Sequence, residues 1–140
     1  MFQITPKKPS SSGSSSLLSS SKASTDSEYM AFALLHNKNR DKYSIESGSD
    51  AQKGDVLDKL THFCEMTWTQ IKLQAKNKSG CETIPIEKIK QRPPSIVTPE
   101  IKEYLVIRCL SQTARIVGVR IGRTFEVIWF DPDLSLYDHD

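Results

Sequence analysis

The strongest constraint on this chain lies in its last third. Three runs rich in β-branched and aromatic residues, Tyr104–Leu110, Ala114–Ile121 and Thr124–Phe130, are separated there by Ser111-Gln112-Thr113 and by Gly122-Arg123. Runs of this composition between short polar breaks predict strands. A two-residue loop with glycine first predicts a type II′ hairpin, whose twist matches that of the strands it joins. The register that follows sets Arg120 opposite Phe125, Gly118 opposite Val127 and Ile116 opposite Trp129. Both faces of the hairpin are then mostly apolar, so it belongs in the middle of a sheet, with helices on one face and another body, such as a partner, on the other. Asp131-Pro132-Asp133 reads as a turn, after which Leu134 to Tyr137 returns as a last strand.

Upstream the pattern changes period. Met30, Phe32 and Leu34 alternate as a short strand, and a polar linker follows over Asn37 to Lys53, broken by Tyr43 to Ile45. Val56, Leu57, Leu60, Phe63 and Cys64 recur at helical spacing, which predicts an amphipathic helix from Asp55. Thr67-Trp68-Thr69-Gln70 has the form of a capping box opening a second helix, with Trp68, Ile71 and Ala75 inward and Asn77-Lys78-Ser79-Gly80 ending it. Thr83 to Ile86 suits a short or edge strand, since Pro85 lacks an amide donor. The expected architecture is α+β: two helices packed on a three- to four-stranded antiparallel sheet.

The N-terminal segment differs in kind. Between Ser10 and Ser27, eleven of eighteen residues are serine, and little there is large enough to offset the entropy of ordering. Residues 1–27 therefore read as a disordered tail and residues 28–140 as a single domain. The tail holds three lysines and Asp26, so the chain's net charge of +2 belongs to it, and the domain is neutral, with 16 basic and 16 acidic residues. Neutrality argues against a strongly basic nucleic-acid binder. The apolar runs are too short to cross a bilayer. Cys64, Cys81 and Cys109 are widely spaced, and neither they nor His36, His62 and His139 show metal-ligand spacing; with no secretory leader pattern, a reducing cytoplasm is the expected setting.

Serine elbows, phosphate-binding glycine loops and zinc-protease helices are missing from the sequence. The polar residues of the sheet region are Arg108, Arg115, Arg120, Arg123, Tyr137 and His139. Arginine forks grip phosphate oxygens and a histidine or tyrosine transfers protons, so the set suits RNA cleavage by attack of a ribose 2′-hydroxyl. Alternation places Arg115 and Arg120 on opposite faces unless a bulge intervenes. In the plainer reading, Arg108, Arg115 and Arg120 pair with Glu82, Glu103 or Glu126, while Trp68 and Trp129 fill the core.

From Ala114 to His139 the sequence runs ARIVGVRIGRTFEVIWFDPDLSLYDH, with MTWTQI upstream at Met66 to Ile71. Together these segments resemble small bacterial and phage proteins with an arginine-glycine hairpin, a strand ending in aromatic-Asp and a terminal LYDH-like segment. Their layout is similar to that of the RelE/ParE toxin superfamily, a resemblance covering residues 55–139. RelE- and YoeB-type members cleave messenger RNA on the ribosome, and ParE-type members poison gyrase. The resemblance implies that Arg115 contacts the scissile phosphate, that Tyr137 and His139 correspond to the C-terminal catalytic pair, and that Glu82 or Glu87 is the base. Arg108 and Arg120 are then candidate substrate-binding residues. It implies no cofactor and no metal, an antitoxin protein as partner and messenger RNA as substrate. The competing reading is a non-catalytic module that binds a partner chain through its sheet face or edge.

Overall fold

The computed structural model describes residues 25–109 and 113–139. Strand β1 (Ala31–Ala33) is followed by helix α1 (Asp50–Phe63), helix α2 (Trp68–Lys76) and strands β2 (Cys81–Pro85), β3 (Glu103–Arg108), β4 (Arg115–Ile121) and β5 (Thr124–Asp131). The five strands form one sheet in the order β1-β5-β4-β3-β2. The class is α+β, as the patterning predicts, but the sheet is mixed and five-stranded: β1 runs parallel to β5, and every other pair is antiparallel. Hairpin reasoning cannot reach β1, because it meets β5 only after the chain has passed through both helices and three strands, and no tight turn dictates its direction.

Both helices open on capping boxes. The Thr67–Gln70 box is present, and a second, unpredicted one joins Ser49 and Gln52, so α1 starts five residues ahead of Asp55. Val56, Leu60 and Phe63 are buried, whereas Leu57, one residue off that stripe, is 58% exposed. Trp68 and Ile71 are buried on α2. Lys78 and Gly80 take left-handed backbone angles past its end, at φ 55° and 85°. Of the serine-rich tail, residues 1–24 lie outside the described residues. Thr25–Ser27 form a short 3₁₀ turn, whose Asp26 is bonded to Lys72 and Arg120.

The two sheet faces carry separate cores. On the helix side, Val56, Leu60, Phe63, Trp68 and Ile71 pack on Leu105, Ile107, Ile116, Phe125, Val127 and Phe130. On the other, Tyr104, Val106, Val117, Val119, Ile128 and Trp129 are covered by Ile84, Ile89, Leu136 and Tyr137, with Ile86, Ile96, Val97 and Ile101 beside them. The face assigned from sequence to a partner is therefore covered by the chain itself. The covering segment Leu134–Tyr137 is not a strand: Leu134 turns left-handed at φ 62°, and the Asp131 carboxylate takes the amides of Asp133, Ser135 and Leu136 that a sheet neighbour would need.

The β4–β5 hairpin turns at Gly122, φ 64°, and begins in the predicted register, with Arg120 opposite Phe125 and Gly118 opposite Val127. Beyond Gly118 it shifts by one residue, so Ile116 faces Phe130 instead of Trp129. Ile128 is the extra residue, and it shares the second core with its neighbour Trp129. Two residues hold this bulge. Gly118 lets the strands approach so closely that a methyl group there would stand 2.0 Å from the Glu126 carbonyl oxygen. Asn37, 4% exposed, donates to the carbonyl oxygens of Ile128 (3.0 Å) and Tyr43 (3.1 Å), and accepts from the amide of Ile45 (2.7 Å). The carbonyl that the bulge removes from the ladder is thereby satisfied.

Replacing Asn37 by alanine leaves one buried and two part-buried backbone groups without their partner, and the chain should lose about 2–4 kcal/mol in a urea unfolding titration. A loss under about 0.5 kcal/mol would show that Asn37 does not secure the bulge.

Candidate functional site

The bulge determines what lies beside Arg115. On an unbroken β5 the alternation running through Phe125 and Val127 would carry Asp131 to the helix side. The extra residue reverses the parity, and Asp131 pairs directly with Arg115, which itself pairs with Arg108 on β3. Arg108, Arg115 and Asp131 thus form one row across three strands. Arg115 lies next to Ile116 of the helix-side core and so faces the other way, toward the C-terminal segment.

Tyr137 and His139 return over the same end of the sheet. Their rings stack, with centroids 4.1 Å apart and planes 29° apart. The Nε2 atom of His139 is 3.9 Å from Oδ2 of Asp131, and its side chain keeps 22% of its surface exposed. Tyr137 is 8% exposed, and its hydroxyl has no hydrogen-bond partner among the described residues. Burial pushes this phenol up to about 12; Glu82 and Asp131 reinforce the shift, while Arg115 and Arg108 oppose it. Four charged side chains therefore act on one buried hydroxyl, which stays a neutral donor throughout the physiological range. A groove of about 440 Å³ opens beside it, lined by Glu87, Lys88, Lys90, Ser135, Leu136, Tyr137 and Asp138.

Of the residues singled out from sequence, Arg115, Tyr137, His139 and Arg108 gather at this end of the sheet. Part of Arg108 is already engaged, its Nη2 donating to the Lys78 carbonyl at 2.6 Å. Arg120 lies on the opposite face, as alternation requires. Its guanidinium carbon is 4.5 Å from the centroid of the Trp68 ring, and its Nη2 meets Oδ1 of Asp26 at 2.6 Å and Oγ1 of Thr25 at 3.0 Å. It ties Thr25–Ser27 to the helix side and does not join Arg115. Arg123, at the hairpin tip, is half exposed and 3.8 Å from Glu28. Of the two glutamates, Glu82 bears on Tyr137, while Glu87 lines the groove.

Sequence reasoning missed Asp131, Lys88 and Lys90. The sequence marks Asp131 only as a turn residue, and the uninterrupted register turns it away from Arg115. The Asp-Pro-Asp-Leu-Ser run carried a usable signal, because an Asp followed by small polar residues commonly caps the amides ahead of it. Burial works against the cysteines as nucleophiles: Cys81 and Cys109 are buried and pushed to about 11 by desolvation, and desolvation also raises the half-buried Cys64. Among the described residues, no group of three or more His, Cys, Asp or Glu side chains gathers to hold a metal ion, and no helix is long and apolar enough to cross a membrane. Comparison with protein-family models, with curated proteins and with solved structures returned no match.

The Tyr137 phenol has a consequence in alkali. The unfolded chain releases this proton near the ordinary value of about 10, whereas the folded chain holds it to about 12. Between those values the unfolded state binds fewer protons, so stability falls as pH rises. Tyr104, also raised by burial, acts in the same direction. Unfolding titrations across this window should show a shallower decline in Tyr137→Phe than in the parent chain, and equal slopes would place the phenol in a wetter setting than described.

Proposed function

We propose that the chain is a RelE/ParE-like toxin-type protein that cleaves RNA, with its reaction centre at the end of the sheet where Arg115, Tyr137 and His139 meet. The observation that carries this reading is their convergence on one face beside a buried hydroxyl that has no hydrogen-bond partner among the described residues. Two helices followed by a compact run of antiparallel strands, β2 to β5, is the layout that the resemblance implies; β1, parallel to β5, is an addition to it.

In this reading Arg115 binds the non-bridging oxygens of the scissile phosphate, and the neutral Tyr137 hydroxyl donates to the same group. Glu82, whose charge already bears on Tyr137, accepts the proton of the 2′-hydroxyl as that oxygen attacks phosphorus. The bond from phosphorus to the 5′ oxygen breaks, and His139 protonates the leaving oxygen. The products are a 2′,3′-cyclic phosphate and a free 5′-hydroxyl, and no cofactor or metal takes part. Arg108 adds positive charge from the next strand, and Lys88 and Lys90 in the adjoining groove suit the phosphates of flanking nucleotides. A neutral domain makes this attraction local, which fits a substrate presented on a large assembly such as the ribosome better than free RNA. A second reading, capture of a partner chain by strand addition at β1, rests on the exposure of Tyr29, Leu34 and Leu35 around that edge.

Inducible expression in bacteria separates the two. Growth arrest with transcript cleavage is expected from the intact chain. Arg115→Ala and His139→Ala should each reduce cleavage about a hundredfold or more while the protein stays folded. Harmless accumulation of the folded parent protein would overturn the ribonuclease reading and favour the edge-binding one.

A further inference from the structure

Asp131 is the one acidic residue among the described residues that is completely buried. A carboxylate in that position must be compensated by donors, because the cost of removing it from water is large. Three backbone amides supply part of the compensation: those of Asp133 (3.4 Å) and Ser135 (3.0 Å) reach Oδ1, and that of Leu136 (3.1 Å) reaches Oδ2. The same Oδ2 also faces Nε2 of His139 at 3.9 Å. This carboxylate therefore fixes the turn that returns the C-terminal segment to the sheet, and it looks directly at the imidazole that the segment delivers. The ring is held from a second side by the stacked face of Tyr137.

We infer that Asp131 is the positioning residue for His139 and selects its tautomer, an inference that rests on the reading of His139 as the proton donor. An imidazole nitrogen that faces a carboxylate keeps its hydrogen, and the other nitrogen becomes the one that exchanges protons. Nε2–H therefore points to Asp131, and Nδ1 is the atom turned toward the substrate. During cleavage the ring, protonated on both nitrogens, gives its Nδ1 proton to the 5′ oxygen and is left neutral, with its remaining hydrogen on Nε2, still directed at the carboxylate. Asp131 neither touches the RNA nor changes protonation. Its effect is to orient one ring and to favour the form that can take up a proton again at Nδ1.

The test is nitrogen-15 NMR of the imidazoles in the full chain at a pH of about 8, with the His139 signals assigned by comparison with His139→Asn. The neutral ring should show the Nε2–H form, and a ring predominantly in the Nδ1–H form overturns the inference without any variant of Asp131. In Asp131→Asn an amide NH₂ replaces the oxygen facing the ring, and the population should move toward the Nδ1–H form. An unchanged tautomer in a folded Asp131→Asn chain would also overturn it. Ser135→Ala is the control for the turn: it removes the Ser135 hydroxyl from Asp133 and Tyr43 and should leave the tautomer as in the parent. In the cleavage assay Asp131→Asn should lower the rate at least about tenfold, and His139→Ala in that background should cost far less than in the parent. If no chain cleaves RNA while the tautomer responds as described, the ribonuclease reading fails and the positioning of the ring by Asp131 stands.

Discussion

The single extra residue in β5, Ile128, governs everything that lies beyond it. A strand has a period of two, so one inserted residue exchanges the faces of all that follow. Here the exchange brings Phe130 into the helix-side core and turns Asp131 to the face of Arg115. The insertion persists because its two costs are met locally. Gly118 offers no side chain where the strands crowd, and Asn37 supplies the donor that the displaced carbonyl needs. Asn37 also bonds Tyr43 and Ile45, so the segment between β1 and α1 is anchored at the same point. A polar side chain buried in this way specifies one arrangement, because any other leaves it unsatisfied.

From that point the C-terminal segment is positioned by charge and hydrogen bonding more than by apolar area. Asp131 gathers the amides of the turn, Leu136 and Tyr137 close over Trp129 and its neighbours, and His139 comes to rest on Tyr137. The result combines a partly exposed imidazole, a buried neutral phenol and two arginines at one end of a sheet. Such an arrangement is costly for a purely structural purpose. The Tyr137 hydroxyl is buried among charged groups without a hydrogen-bond partner among the described residues, which is the kind of conflict that folds retain where a ligand is to be met.

The opposite face shows what an arginine does when structure accounts for it fully. Arg120 stacks on Trp68, bonds Asp26 and Thr25, and donates to the carbonyl of Gly122, leaving little of its fork available. Asp26 in turn is lowered from the usual carboxylate value by its hydrogen bonds to Lys72 and Arg120. The two faces divide the arginines that the sequence presents as one group.

Much of the fold was legible because it follows from local chemistry. Glycine at the first position of a two-residue loop sets the hairpin, Thr67 and Gln70 cap α2, and β-branched runs mark three of the five strands. The convergence of Arg115, Tyr137 and His139 was partly legible, since alternation already separates Arg120 from Arg115. What local chemistry cannot express is contact between segments distant along the chain. The parallel pairing of β1 with β5, the second core closed by residues 84–101 and 134–137, and the bulge tied to Asn37 ninety-one positions away all depend on such contacts. The sequence by itself determined most of the element types and named Arg115, Tyr137 and His139; only the tertiary structure decided which residues meet, and brought Asp131 among them, because a one-residue shift in register costs nothing in composition and yet reverses a face.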